Sequence, residues 1–200
     1  GGEVDGPSRQ LARYVERITS EYFRNLDAMM IYRLDRFGRG GHHRPFNDQG
    51  FPGVRIMEAH EHYDRQHQDL RTEDGRQYGD VLEYVDFDFA RRLTGVNAAV
   101  LASLAWAPPP PLDPRIAGAV APSARLSWSV DPADDLAGFK IYWRLTTAPQ
   151  WTDWVFIPWD GQEAMRHVME NLVIDNYLFG IAAVDDQGHE SVVQFPTPGR

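Results

Sequence analysis

An α/β segment with an open sheet, followed by an all-β sandwich, is the fold class that this 200-residue sequence predicts. Three observations predict it. Four consecutive prolines, Pro108 to Pro111, interrupt the chain with a stiff spacer that offers no backbone donors. Before them, apolar residues spaced three and four apart are interleaved with short apolar runs and Gly-rich loops. After them, apolar and polar residues alternate in short runs separated by turns. The expected organisation is a first part over residues 1–107, a proline-rich linker over 108–114 and a sandwich over 115–200.

In the first part, Leu11, Tyr14, Val15, Ile18, Tyr22 and Phe23 mark an amphipathic helix, with Ser8 as its expected N-cap. Residues 26–34 form a short apolar run suited to a buried strand, and Gly38, Gly40 and Gly41 then make a loop. Residues 51–57 read as a second strand ending at Glu58. From Asp86 to Trp106 a second helix is expected, with Phe89, Leu93, Val96, Asn97, Val100, Leu101 and Leu104 on one face. Strand, loop, strand, loop and helix are the parts of an open α/β sheet, whose ligand sites lie in loops beyond the strand ends. His43 and His67 both fall in such loops.

Beyond the prolines, Leu126, Trp128 and Val130 alternate on one face of a strand over 124–130. Residues 139–144 and 176–185 are further strands, the latter ending at the turn Asp186-Gln187-Gly188.

The net charge of -9 argues against a nucleic-acid partner, because phosphate binding needs a Lys/Arg surface. The basic stretch over 33–44 is short and Gly-rich and reads as a loop near a site. No apolar run of about 18 residues occurs, so no membrane-spanning helix is expected. The absence of cysteine excludes disulfides and thiolate chemistry.

Three segments in order carry the chemical signal: His42-His43-Arg44-Pro45-Phe46, then Gly50-Phe51-Pro52-Gly53 leading to Glu58, then Tyr63-Asp64-Arg65-Gln66-His67. Together they resemble the C-terminal end of the catalytic domain of the co-catalytic two-zinc aminopeptidase family, zinc-dependent exopeptidases. The resemblance implies that His67 is a zinc ligand and that His42, His43 and Tyr63 line the substrate pocket. It implies that Glu58 supports the site as an acid beside the ligands. It further implies a peptide substrate, hydrolysed by a water that two zinc ions activate, and a Glu general base. That base and the remaining zinc ligands have no counterpart here and are expected upstream of Gly1. The expected partner is therefore the N-terminal half of the same catalytic domain, joined or nicked, and the expected location is periplasmic or secreted.

The sequence departs from the family pattern at several places. His42 stands where an Asp is usual, Gln68 where a Thr is usual, and Asp64-Arg65 where Asn-Pro is common. The neighbouring Glu58-Ala59-His60-Glu61-His62 cluster lacks the i, i+4 spacing of helical zinc proteases.

Residues 115–200 resemble a fibronectin type III domain. Trp128 on an early strand, Leu172 with Tyr177 placed like a tyrosine corner, and the ending from Ala183 to Ser191 carry that resemblance. Trp143, Trp151, Trp154, Phe156 and Trp159 form an aromatic hairpin region, expected to supply sandwich core and a covered edge. The competing reading is a non-catalytic fragment whose sandwich binds glycan or protein.

Overall fold

The computed structural model describes residues 5–32 and 40–199. Gly38 and the end of the expected strand over 26–34 lie outside them, as does most of the basic stretch.

Helix α1 (Pro7–Tyr22) starts two residues earlier than expected, with Gly6 as its N-cap. Pro7 explains the shift: its fixed φ and missing N–H suit the first helical position. The Ser8 hydroxyl is thereby released from capping and accepts hydrogen bonds from Gly53 N and Asn47 Nδ2, each at 3.2 Å. A five-residue helix α2 (Arg44–Asp48) follows, then a hairpin of β1 (Arg71–Glu73) and β2 (Arg76–Tyr78). Helix α3 (Phe87–Trp106) is capped by Asp86, whose carboxylate accepts from Phe89 N at 2.9 Å.

Helices α1 and α3 pack through Tyr14, Val15, Ile18, Val96 and Val100. Gly95 permits the close approach of Phe23, because a Cβ there would stand 3.0 Å from its ring. Asn97 and Leu101, expected on the buried face of α3, are exposed. The helix meets α1 along the narrower Val96–Val100 seam, one turn apart, and 97 and 101 fall beside it.

The open sheet expected in the first part is not formed among the described residues. Residues 26–32 and 51–57 are extended but belong to no ladder. Their apolar side chains explain the extended course: Leu26, Val54 and Ile56 pack onto the α1–α3 cluster. A strand also needs a hydrogen-bonding neighbour, and among the described residues none pairs with these two segments in a ladder.

The prolines lead directly into β3 (Leu112–Ala117) and a two-sheet sandwich. Its other strands are β4 (Ala124–Ser129), β5 (Leu136–Leu145), β6 (Asp153–Pro158), β7 (Ala164–Met169), β8 (Tyr177–Asp185) and β9 (Thr197–Pro198). One sheet has the order β7-β4-β3-β9 and the other β6-β5-β8. Residues 189–194 continue the second sheet along β8 through bridges at Glu190 and Gln194. As the alternation predicts, Leu126 and Trp128 face inward, and Trp128 meets Phe139 edge-on with ring centroids 5.2 Å apart. Ile141 and Ile181 are directly opposite across β5 and β8 and fully buried. Each contributes on the order of 2–3 kcal/mol through burial. Leu172 and Tyr177 pack against the same core.

Strand β5 is buried on both faces. Its outward residues Lys140, Tyr142 and Arg144 turn to α1 and its approach, where Arg144 pairs with Asp5 and Tyr142 with Glu190. Helix α1 is thus held between α3 and the sandwich.

Candidate functional site

A cleft of about 360 Å3 lies between α1, α3 and the two extended segments. Its wall is mainly apolar and backbone-rich, with Val15, Leu26, Ile56 and Val96 beside the polar groups of Ser8, His43 and Glu58. His43 caps α2, and its carbonyl accepts from Asn47 N at 3.0 Å. Its Nδ1 is buried without a hydrogen-bond partner. The loop around it is pinned by Asn47, whose side-chain amide donates to Phe51 O at 2.9 Å, Gly53 O at 3.4 Å and Ser8 Oγ at 3.2 Å. A sequence reader sees Asn47 only as a turn residue; the alternate apolar residues around it hint at nothing more.

His43 and Glu58 therefore share one cleft. His42 is exposed and does not line it. Glu58 is also exposed, while its neighbour Glu61 holds a side chain only 4% accessible. Arg55 approaches Glu61 at 3.5 Å and Gln66 donates to it at 3.1 Å. Glu61, which the sequence shows only as one acid of the cluster over 58–62, is the acid that this loop is built around. His60 is exposed at a bend and His62 is exposed just before the one-turn helix Tyr63–Arg65, both outside any strand.

His67 sits in a second loop, braced by the β1–β2 hairpin and the one-turn helix Tyr63–Arg65. Its φ of 53° is left-handed, a conformation uncommon outside glycine. The surroundings impose it: His67 N donates to Asp80 Oδ2 at 3.3 Å, Asp80 N to Gln68 O at 3.1 Å and Gly79 N to Asp64 O at 3.0 Å. Arg76 pairs with Asp64 at 3.4 Å, and Arg65 stacks on Tyr84 with its guanidinium carbon 3.9 Å from the ring centroid. The backbone is fixed and the imidazole faces solvent. Tyr63 opens the same loop and is 58% exposed.

Among the described residues no three His, Cys, Asp or Glu side chains converge as a metal site. A zinc ion needs about four ligands in its first shell, three of them protein in a catalytic site. The donor set at His67 is one imidazole, so the residues of this chain do not by themselves fit a zinc ion. No catalytic step is assigned through one.

The aromatic hairpin divides as its exposure directs. Trp143 and Trp159 pack on the sandwich core, whereas Trp154 and Phe156 are exposed along β6. Trp151 packs on the outer face of the sandwich, against Gly180 and Tyr142, and lies against the guanidinium groups of Arg13 and Arg144, 5.8 and 5.2 Å from its ring centroid.

No family model matches the chain. Curated proteins do. It is homologous along its whole length to fungal proteins named "Probable zinc metalloprotease". One from Pyrenophora tritici-repentis (strain Pt-1C-BFP) is 40% identical over 200 residues, which are 100% of this chain and 40% of that protein. One from Leptosphaeria maculans is 40% identical over 200 residues and 45% of its length is covered. One from Pyricularia oryzae (strain 70-15) is 37% identical over 205 residues, 40% of its length. The chain thus spans about two fifths of the curated relatives it matches. Among solved structures, "Solution structures of the fn3 domain of human contactin 1" aligns with 46% of this chain and 81% of its own, at 14% identity and a TM-score of 0.34. "Myokine structure" aligns with 46% of this chain and 100% of its own, at 22% identity and a TM-score of 0.33. Helices and a hairpin followed by a two-sheet β-sandwich describe the architecture.

Proposed function

We propose that this chain is the C-terminal portion of a zinc-dependent, aminopeptidase-like exopeptidase, in which His67 supplies one zinc ligand and His43 and Glu58 shape part of the peptide-binding pocket. His42 and Tyr63 stand at the rim of that pocket in this reading. The observation that carries it is the 40% identity over the full chain to relatives named as zinc metalloproteases. The fixed backbone of His67 and its solvent-facing imidazole support it, since a ligand must be presented before its metal arrives.

The other ligands and the general base then come from outside these residues, on the N-terminal half of the same catalytic domain. Two extended segments without ladder partners, lining an apolar cleft, supply the kind of surface that such a half would cover. Hydrolysis belongs to the assembled domain.

The test is native purification followed by denaturing intact-mass spectrometry, zinc analysis and hydrolysis of aminoacyl chromogenic substrates. The reading expects additional polypeptide, bound zinc and activity, with His67→Ala losing metal and hydrolysis together. A metal-free, inactive species of about 22.8 kDa would refute it, as would His67→Ala with full zinc content.

A further inference from the structure

A second polar site lies at the junction of α1 with the sandwich, where a cavity of about 140 Å3 is bordered by Gln10, Arg13, Tyr142, Trp151 and Glu190. Behind it two guanidinium groups are buried, Arg13 at 4% and Arg144 at 1% side-chain exposure. They share one carboxylate. Arg144 Nη2 pairs with Asp5 Oδ1, and Arg13 Nη1 lies 3.5 Å from the same oxygen. Arg13 Nε donates to Pro149 O at 2.8 Å and Arg144 Nη1 to Ala148 O. The Tyr32 hydroxyl also approaches Arg13, but it gives its proton to Pro149 O at 3.3 Å.

After those bonds, four buried donor atoms have no hydrogen-bond acceptor among the described residues: Arg13 Nη1 and Nη2, Arg144 Nε and Trp151 Nε1. All belong to groups that can donate and never accept. The other charges around the cavity are already matched. Glu190 accepts from Lys140 and Tyr142, with Arg17 at 3.9 Å, and Arg17 also pairs with Glu21 at 3.1 Å. Glu16 is a half-buried residue on the wall, and burial pushes its carboxyl above the ordinary range. Because Arg13 and Arg144 share the single Asp5 carboxylate, that buried group keeps one positive charge and four donors in a low-dielectric junction, where each is costly.

We infer that this cavity binds a small monovalent anion of the chloride type, held by the Arg13 guanidinium and the Trp151 indole N–H with Arg144 supplying the second positive charge. A water molecule fits the volume and satisfies donors, but it leaves the charge. An anion answers both. Because Arg13 belongs to α1 and Trp151 to the sandwich, the bound anion ties the two parts together, and their docking becomes dependent on anion concentration. The inference is independent of the peptidase reading.

The experiment is thermal unfolding of the isolated protein across a chloride titration, with ionic strength held constant by gluconate, alongside 35Cl NMR line widths. The wild type should show a saturable rise of about 3–5 °C at roughly ten times the half-saturating concentration. It should also broaden the 35Cl signal. Trp151→Phe keeps the ring and removes the donor, and Arg13→Met removes the charge; both should abolish saturation. A wild-type midpoint that ignores chloride, with an unbroadened 35Cl line, would overturn the inference. So would an undiminished response in both variants. If a variant fails to fold, the wild-type line width decides alone.

Discussion

Tyr142, on the outer face of β5, gives its hydroxyl proton to Glu190 Oε2 at 2.5 Å, beneath α1. Burial and the adjacent carboxylate push the phenol far above its usual range, so it stays a donor at any pH the fold survives. Glu190 also receives Lys140, and its backbone carbonyl accepts from Tyr14 of α1 at 3.2 Å. One 6%-exposed residue therefore links sandwich to helix by both backbone and side chain.

Replacing Glu190 with Ala should destabilise the protein by about 3–5 kcal/mol, since it strands buried Lys140 and Tyr142 partners. Tyr142→Phe removes one hydrogen bond and should cost about 1–3 kcal/mol. Urea denaturation of both variants measures this. Equal stability of Glu190→Ala and wild type would mean that the helix rests on the sandwich through apolar contact alone.

Asp185 is the acid-sensitive point of the sandwich. Burial disfavours its charged form, but the His189 ring at 2.6 Å and the N–H groups of His189 and Gln187 outweigh it, leaving the carboxyl below its usual value. A depressed folded value means stability that is full above the unfolded value, near pH 4, and lost as pH falls through the folded one. Denaturation midpoints should therefore drop below about pH 4, and Asp185→Asn should flatten that part of the profile. A mutant profile as steep as the wild type would assign the acid loss to other carboxylates.

The elements most legible in the sequence are those whose cause is local. The spacing of Tyr14, Val15 and Ile18 marks α1, Asp86 announces α3, and the alternation of Leu126 and Trp128 marks β4. What escaped is set by contacts distant along the chain. Alternation on β5 assigns Tyr142 and Arg144 to solvent, and only the arrival of α1 buries them. Residues 26–32 and 51–57 look like strands because alternation reports an extended backbone, whereas pairing depends on a neighbour. At the candidate site, His43 and His67 were visible as motif positions. The hydrogen bonds that fix them, from Asn47 and Asp80, follow from loop closure, and the burial of Glu61 in place of Glu58 depends on Arg55 and Gln66 folding over it.

Gly180 on β8 makes room for Trp151. A Cβ there would stand 2.3 Å from Val193 Cγ1 and 2.8 Å from Trp151 Cζ2. Gly180→Ala must displace the indole from its place beside Arg13 and Arg144, at a cost of about 1–3 kcal/mol. Tryptophan emission should shift to the red as Trp151 meets water. Unchanged emission and stability would show that Val193 alone moves aside.

Asn47 ties the His43 loop to α1 through Ser8 and closes the loop onto the carbonyls of Phe51 and Gly53, all from one side-chain amide. Asn47→Ala leaves the carbonyls of Phe51 and Gly53 and the Ser8 hydroxyl without that donor. The expected loss is about 1–3 kcal/mol, concentrated in the loop, because α1 and α3 keep their apolar seam. Hydrogen exchange should quicken at residues 47–53 and remain slow at the core of α3. On the proposed peptidase reading, in which His43 lines the pocket through the same loop, the variant should also weaken peptide binding while leaving zinc content unchanged. Loss of zinc in Asn47→Ala would mean that the two loops fold as one unit.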